Sequence, residues 1–418
     1  MMRTTWSRRR LLGATTAVAG ASLIGTEAQA APRGQRRHSA IAYVGSWTSA
    51  ERAADGPGLS VYRLDQKSAR WSLLQILSAD DGNPTTPERP GALPESPALL
   101  AFDRTRRFLY AVHADTDKVS AFTVDQRSGE LTLLNIARTG GTNPVFVTTD
   151  PSNRWLVVAN YDQPGSVVTL PIRADGSLGE LTGALRFPGR PGPHKEEQDG
   201  SYPHIAEFDP SGRWLIVADR GLDRLFTVQL DARTGALALH GPGTTQLREG
   251  SGPRHIAFHP TRPFAYSVDE LRSCVTTFGW NSRLGQFTPR QVLPSTPPDM
   301  TGDSRAAEIA VAPSGRFVYA SNRSGAGVLD PQQRADTIGC WRIDQGTGDL
   351  HPVAWTPTGG LQVRHFTLNS AGDRLYAANQ SSGTIVTFAV DSTTGRLQRI
   401  GAPLNTGTPT FVLLNERP

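Results

Sequence analysis

Residues 201–219 read SYPHIAEFDPSGRWLIVAD, and this layout decides the fold because it returns five more times along the chain. A proline leads into an alternating apolar run. An Asp-Pro-Ser-Gly turn follows, then an aromatic anchor and a second apolar run closed by Asp or Asn. Related copies start at Pro97 (PALLAFDRTRRFLYAVHA), Pro144 (PVFVTTDPSNRWLVVANY), Pro253 (PRHIAFHPTRPFAYSVDE), Ala306 (AAEIAVAPSGRFVYASNR) and Val363 (VRHFTLNSAGDRLYAANQ). With Phe108, Trp155, Trp214, Phe264, Phe317 and Arg374 as equivalent anchors, the successive spacings are 47, 59, 50, 53 and 57 residues. A period of about 50 marks a propeller or a comparable array rather than a two-layer domain.

Around the quoted stretch, each repeat divides into four short strands. In the third copy strand A covers residues 205–208, strand B 214–218 and strand C 224–230. Strand D follows a turn opened by Asp231 and closed by Gly235, with analogues at 125–129, 344–348 and 391–395. Asp opening and Gly closing a tight turn is hairpin chemistry. Fragments remain at both ends: 41–47, 58–64 and 71–77 read as strands B, C and D, and 409–412 as a lone strand A. Joined, they complete a seventh blade, and a ring closed by both termini leaves no open sheet edge. The sequence therefore predicts an all-β, seven-bladed β-propeller of four-stranded antiparallel blades spanning 41–418, with the last blade closed by both termini.

Residues 1–30 carry Arg8, Arg9 and Arg10 before an apolar segment reaching Ile24, then Ala28-Gln29-Ala30. This order of parts is that of a twin-arginine export signal with a small-residue cleavage site, and the apolar part is too short for a membrane span. Residues 31–40 read as a flexible segment, and the protein as secreted or periplasmic. The formal charge is +5, but the leader holds four arginines against one glutamate, so the remainder is close to neutral. No basic stripe with interleaved aromatics suggests a nucleic-acid partner. Cys274 and Cys340 lie on apolar strand patterns and read as buried free thiols before a bridge. No Cys/His spacing of a metal site exists, and no cofactor is expected.

Strands A and B share the Asp-Pro-Ser-Gly turn, so the start of A and the end of B meet at the opposite end of each blade, where a propeller's innermost strand opens on the central tunnel. Ten residues before the anchors stand Ala98, Val145, His204, Arg254, Ala307 and Arg364; six after them stand Ala114, Tyr161, Arg220, Glu270, Arg323 and Gln380. Glu308 adjoins the first series. The first two copies thus offer apolar or aromatic side chains, and the next four supply a cluster of charge. The long connections 80–95, 188–202, 294–305 and 324–336 fall on that same face, where loops over a rigid scaffold build pockets. Such charges can also pair simply to satisfy burial. His255 and His365 follow arginines and, by strict alternation, point away into packing. Asn160, Asn322 and Asn379 recur as holders of strand ends, and His113 shares their place.

Tyr43-Val44-Gly45-Ser46-Trp47, Val158-Ala159-Asn160-Tyr161, Gly252-Pro253-Arg254-His255, Asp269-Glu270-Leu271 and Ser321-Asn322-Arg323 carry a resemblance. Over residues 41–412 the chain resembles the seven-bladed propeller lactonases, typified by propeller-type 6-phosphogluconolactonase and related to the carboxy-muconate lactonising enzyme. The resemblance implies a site of His204, Arg254, Glu270 and Arg323, the residues that register also selects. Two positions depart from the family pattern: Tyr202-Pro203-His204 replaces His-Pro-His, and Asp269 replaces Asn. Lactone opening needs a base for water and donors for the oxyanion, and arginine forks suit a substrate carboxylate or phosphate. Glu270 and His204 are alternative bases, and Arg220, Glu308 and Arg364 are substrate-binding candidates. The expected substrate is a small anionic lactone, opened without metal. The competing readings are a lactonising cycloisomerase, a non-catalytic propeller that binds a partner or cell-wall ligand, and a calcium-dependent lactonase, which four arginines disfavour.

Overall fold

The computed structural model describes residues 39–78, 93–324 and 336–416. The leader at 1–30, most of 31–40 and most of the connections 80–95 and 324–336 lie outside them. Blade 1 consists of Pro97–Phe102, Phe108–His113, Lys118–Val124 and Leu131–Arg138, hydrogen-bonded in that order as an antiparallel sheet. Blades 2 to 6 repeat the plan over 144–185, 203–246, 253–294, 304–357 and 363–405; the third adds a short strand, Thr245–Gln246, against its strand C. Blade 7 is the sheet expected from the leftovers: Pro409–Glu416, Ser39–Ser46, Gly58–Asp65 and Arg70–Ser78, with Val44 opposite Val412. The innermost strands touch each neighbour in turn from blade 1 round to blade 7 and back, which closes the ring.

The repeat motif works at two places. In blades 1, 2, 3 and 6 the turn Asp or Asn accepts the backbone N–H at the far end of the turn: Asp103 Oδ1 lies 2.8 Å from the Phe108 amide, Asp150 Oδ1 2.7 Å from that of Trp155, Asp209 Oδ1 3.0 Å from that of Trp214, and Asn369 Oδ1 3.0 Å from that of Arg374. Between blades, the anchor lies against the glycine that closes the next blade's C–D turn. A Cβ on Gly235, whose φ is +76°, would sit 2.5 Å from the Trp155 ring, so both backbone conformation and space demand glycine there. Tyr43, Tyr110, Tyr266 and Tyr319 donate their hydroxyls to the carbonyls of Gly129, Gly176, Gly348 and Gly395 at 2.7–3.1 Å. Blades 2 and 3 lack that tyrosine, and the anchor indoles act instead, Trp155 Nε1 on the Ala232 carbonyl and Trp214 Nε1 on that of Ser282. Apolar faces such as Leu156, Val158, Ile216 and Ala218 fill the space between sheets.

At the mouth of the tunnel every blade carries a β-bulge. The pairing of strand A with strand B slips between Pro97 and Leu99, Pro144 and Phe146, Pro203 and Ile205, Pro253 and His255, Ala306 and Ile309, and Val363 and His365; in blade 7, Thr410 is the unpaired residue. A bulge opposes two residues to one, so strict alternation of faces fails at that point. The consequence is felt directly in the site.

Candidate functional site

A cavity of about 190 Å³ opens at this end of the axis. Its wall is drawn from the register positions of all blades except the fifth, which gives Glu308. Ala98, Val145, His204, Arg254, Arg364 and Thr410 line it from the starts of strands A, and Trp47, Ala114, Tyr161 and Glu270 from the ends of strands B. Because of the bulge, the next residues along strand A face it too, among them Leu99, His255, His365 and Phe411. The packing role expected for His255 and His365 is corrected here: both rings reach Glu308 in the cavity wall.

Glu270 is the centre of an arginine cluster. Its Oε1 lies 2.8 Å from Nη2 of Arg323, and its Oε2 lies 3.2 Å from Nε of Arg220 and 3.6 Å from Nε of Arg254. Burial alone would raise this carboxyl; Arg220, Arg323, Arg254 and Arg364 outweigh it and hold Glu270 well below the usual carboxylate range. Arg220 and Arg323 do not line the cavity. They stand behind Glu270, Arg220 also gripping Glu197 and donating to the Tyr161 hydroxyl at 3.0 Å, and Arg323 bonding the Arg305 carbonyl at 3.2 Å. Glu197, from the connection 188–202, further pairs with Arg305 at 3.1 Å and so ties the loop to the blades.

Glu308 is held differently. Its Oε1 accepts from His255 Nδ1 at 2.9 Å and from the Ile309 amide at 3.0 Å, and its Oε2 lies 3.6 Å from His365 Nε2. Burial again pushes the carboxyl up, but His255 and its hydrogen bond, with His365 and Arg254, bring it to about 2. His365 Nδ1 accepts the Val412 amide at 3.2 Å, which leaves its proton on Nε2, towards Glu308. Burial lowers His365 to about 4 and lowers His255 as well. His204 is driven well below its ordinary value by burial and then by Arg254; its Nδ1 is buried without a partner among the described residues, and its ring packs edge-on against Tyr161 and His255.

Arg364 completes the set. Its guanidinium lies 4.7 Å from the Trp47 ring, over which Arg52 also stacks at 4.0 Å. Arg52 is paired with Asp115, whereas Arg364 has no carboxylate or hydrogen-bond acceptor among the described residues. The Trp47 indole N–H is likewise buried without an acceptor among the described residues.

The remaining sequence candidates fall elsewhere. His113 is buried and bonded to the Pro94 carbonyl at 2.9 Å and Ser120 Oγ at 2.7 Å, away from the cavity. Asn160, Asn322 and Asn379 donate to the carbonyls of Thr139, Ser295 and Thr358 and fix connections. Asp219 does the same work in blade 3, accepting the amides of Tyr202, Gly221 and Leu222. Cys274 and Cys340 are free thiols. Among the described residues no group of His, Cys, Asp and Glu is arranged to hold a metal ion.

Seven four-stranded blades around a polar axial cavity, fed by charged residues at strand starts and ends, define the class: a propeller with its site at one tunnel mouth. The chain belongs to the seven-bladed β-propeller lactonase family, whose description (Lactonase, 7-bladed beta-propeller) matches residues 41–414. Among its relatives is a 6-phosphogluconolactonase of Bacillus subtilis, 32% identical over 374 residues covering 89% of this chain and 97% of that one. Another, a 6-phosphogluconolactonase of Formosa agariphila, is 29% identical over 86% and 94% of the two chains. The solved structure of a periplasmic gluconolactonase from Pseudomonas aeruginosa has the same fold, with a TM-score of 0.77 at 24% identity over 90% of this chain and 99% of that one.

Proposed function

We propose that this protein is an exported lactonase that opens an anionic sugar or organic-acid lactone by hydrolysis at the tunnel mouth, with its own side chains and no metal. The observation that carries the substrate charge is Arg364. Burial and the neighbouring guanidinium groups of Arg254, Arg323 and Arg52 pull its proton affinity down and Glu270 pulls it up. A guanidinium starts high enough to stay protonated near neutral pH, and this one lines the cavity with no ion pair or hydrogen bond of its own among the described residues. A substrate phosphate or carboxylate would supply the missing acceptor through two parallel N–H bonds. Arg254, also in the wall, is placed to take the charge that develops on the lactone carbonyl oxygen, the contribution that preorganised donors make to acyl transfer. The seating of lactone hydrolysis in this family comes from the relatives, and the twin-arginine leader together with the periplasmic neighbour supports export.

The test compares 6-phosphoglucono-δ-lactone with uncharged glucono-δ-lactone, each corrected for spontaneous opening. Arg364→Ala is expected to raise KM for the phosphorylated lactone by about 10- to 100-fold, the worth of a charged hydrogen-bonded contact, and to leave the uncharged one nearly unchanged. Equal effects on both would remove the anionic assignment. For export, fractionation of producing cells should find the protein outside the cytoplasm with a new N-terminus near Ala31; a cytoplasmic chain that keeps Met1 would contradict it.

A further inference from the structure

Hydrolysis needs a base with an open lone pair in a fixed direction, and the contacts of the cavity discriminate among its candidates. Glu270 has both oxygens committed to guanidinium groups. Glu308 has both oxygens turned to histidines and one also to a backbone amide. His365 is closed on both nitrogens, by the Val412 amide and by Glu308. Among the described residues His204 has no hydrogen bond to set its tautomer, its Nδ1 being buried without a partner. His255 has a carboxylate on one nitrogen, and its other nitrogen is an acceptor met only by a side chain, Arg254, at 3.3 Å, where that of His365 is held by the backbone. An ionised Glu308 places the imidazole proton on Nδ1, and Nε2 is then the basic atom.

We propose that His255, oriented by Glu308, is the general base of lactone opening, with Glu308 a positioning residue and not a substrate ligand. This rests on the lactonase reading above. In the resting cavity Nη1 of Arg254 stands 3.3 Å from His255 Nε2, longer than its 2.5 Å bond to the Ala307 carbonyl. A water entering between them takes over that weak contact and meets the base and a guanidinium together. His255 Nε2 accepts a proton from the water as its oxygen bonds to the lactone carbonyl carbon, and the carbonyl electron pair moves onto oxygen beside Arg254. The tetrahedral centre then collapses, the bond from the acyl carbon to the ring oxygen breaks, and the ring oxygen takes the proton back from His255. The product is a hydroxy acid, which ionises to the carboxylate. This is the carboxylate–imidazole logic of a hydrolytic triad with water as nucleophile.

The groups facing His255 are Glu308 from blade 5, His204 from blade 3, Arg364 and His365 from blade 6, Phe146 from blade 2 and its own neighbour Arg254. Burial lowers its affinity for protons, Glu308 raises it and the arginines lower it, and the balance leaves His255 a weaker acceptor of a resting proton than a free imidazole, so its neutral form is favoured.

The decisive experiment follows kcat and KM for 6-phosphoglucono-δ-lactone against pH in the purified protein. His255→Asn is expected to cost about 10²- to 10⁴-fold in kcat, the range for a general base, with little change in KM. Imidazole added to His255→Gly should restore part of kcat, which a misfolded variant would not show. Glu308→Gln should lower kcat by about 10- to 100-fold, as partners that orient a functional histidine do, and move the acidic limb of kcat/KM to lower pH because the carboxylate no longer favours the imidazolium. Wild-type turnover that survives in His255→Asn with an unmoved acidic limb would overturn the base while leaving the lactonase standing. A wild-type rate no faster than spontaneous opening would overturn both.

Discussion

Glu270 and Glu308 come from adjoining blades and face one cavity, with side chains 12% and 11% exposed. Equal burial leaves the partners as the difference. Three guanidinium groups contact Glu270, and none of them releases a proton in the range where proteins fold. Two imidazoles contact Glu308, and these can gain and lose one. The arginine side of the cavity is therefore a fixed array of charge suited to holding an anion, and the histidine side is the part able to move a proton. Groups of one chemical type driven to different tasks by their neighbours are how a single site separates its roles.

The largest test of that contrast is thermodynamic. Glu270→Gln leaves Arg220, Arg254 and Arg323 buried around a neutral amide, and removing one partner of a buried ion pair costs about 3–5 kcal/mol. Glu308→Gln keeps an amide oxygen for the His255 Nδ1–H and the Ile309 amide. It sets its NH₂ against the His365 Nε2–H, one mismatched donor pair worth about 1–3 kcal/mol. Denaturant titration should show the larger fall in midpoint for Glu270→Gln with the m-value unchanged in both. Equal losses would mean that the two carboxylates do the same structural work.

The fold was legible because the repeat writes its own contacts. The turn Asp or Asn is tied by hydrogen bonds and the anchor and closing Gly by a close approach, so they recur in most copies, where the geometry recurs. The site was legible to the extent that blades obey one register. Counting from the anchors reaches His204, Arg254, Glu270, Arg323, Arg220 and Arg364, which the ring brings to one mouth. It stops short where the anchor is disguised. In blade 7 Ile41 takes that place, shown by its side chain lying where a Cβ on Gly129 would go. Six residues after Ile41 stands Trp47, and Thr410 follows Pro409 as Arg254 follows Pro253. The count finds Trp47 from Ile41, and the place after the proline finds Thr410. His255 and His365 were sent to the wrong face because a period of two was carried through a bulge. Glu197 lies in an irregular connection with no period to betray it. Which of Arg220, Arg323 and Arg364 meets the cavity depends on side-chain partners that spacing does not encode.

The smallest test follows the histidine side in pH. Burial holds His365 at about 4 against 6.5 in an unfolded chain, despite the pull of Glu308. Between those values the unfolded chain binds a proton at this residue that the folded chain refuses. Its contribution to stability is therefore intact above pH 6.5 and is lost as pH falls, with a limiting slope of about 1.4 kcal/mol per pH unit for one proton. Glu270 contributes nothing in most of that window, since it is ionised in both states until the pH nears 4.5. Asp219 and Asp269, raised by burial to about 6, act in the opposite sense as the folded chain takes up protons first. The comparison must accordingly be made between proteins that share them. His365→Asn keeps an acceptor for the Val412 amide and removes the imidazole. Its stability should fall less steeply than that of the wild type between pH 6.5 and about 4, by no more than that one-proton slope. Curves that stay parallel through the window would show that His365 takes up its proton in the folded chain as readily as in the unfolded one, and that burial does not set the histidine side of the cavity apart in this way.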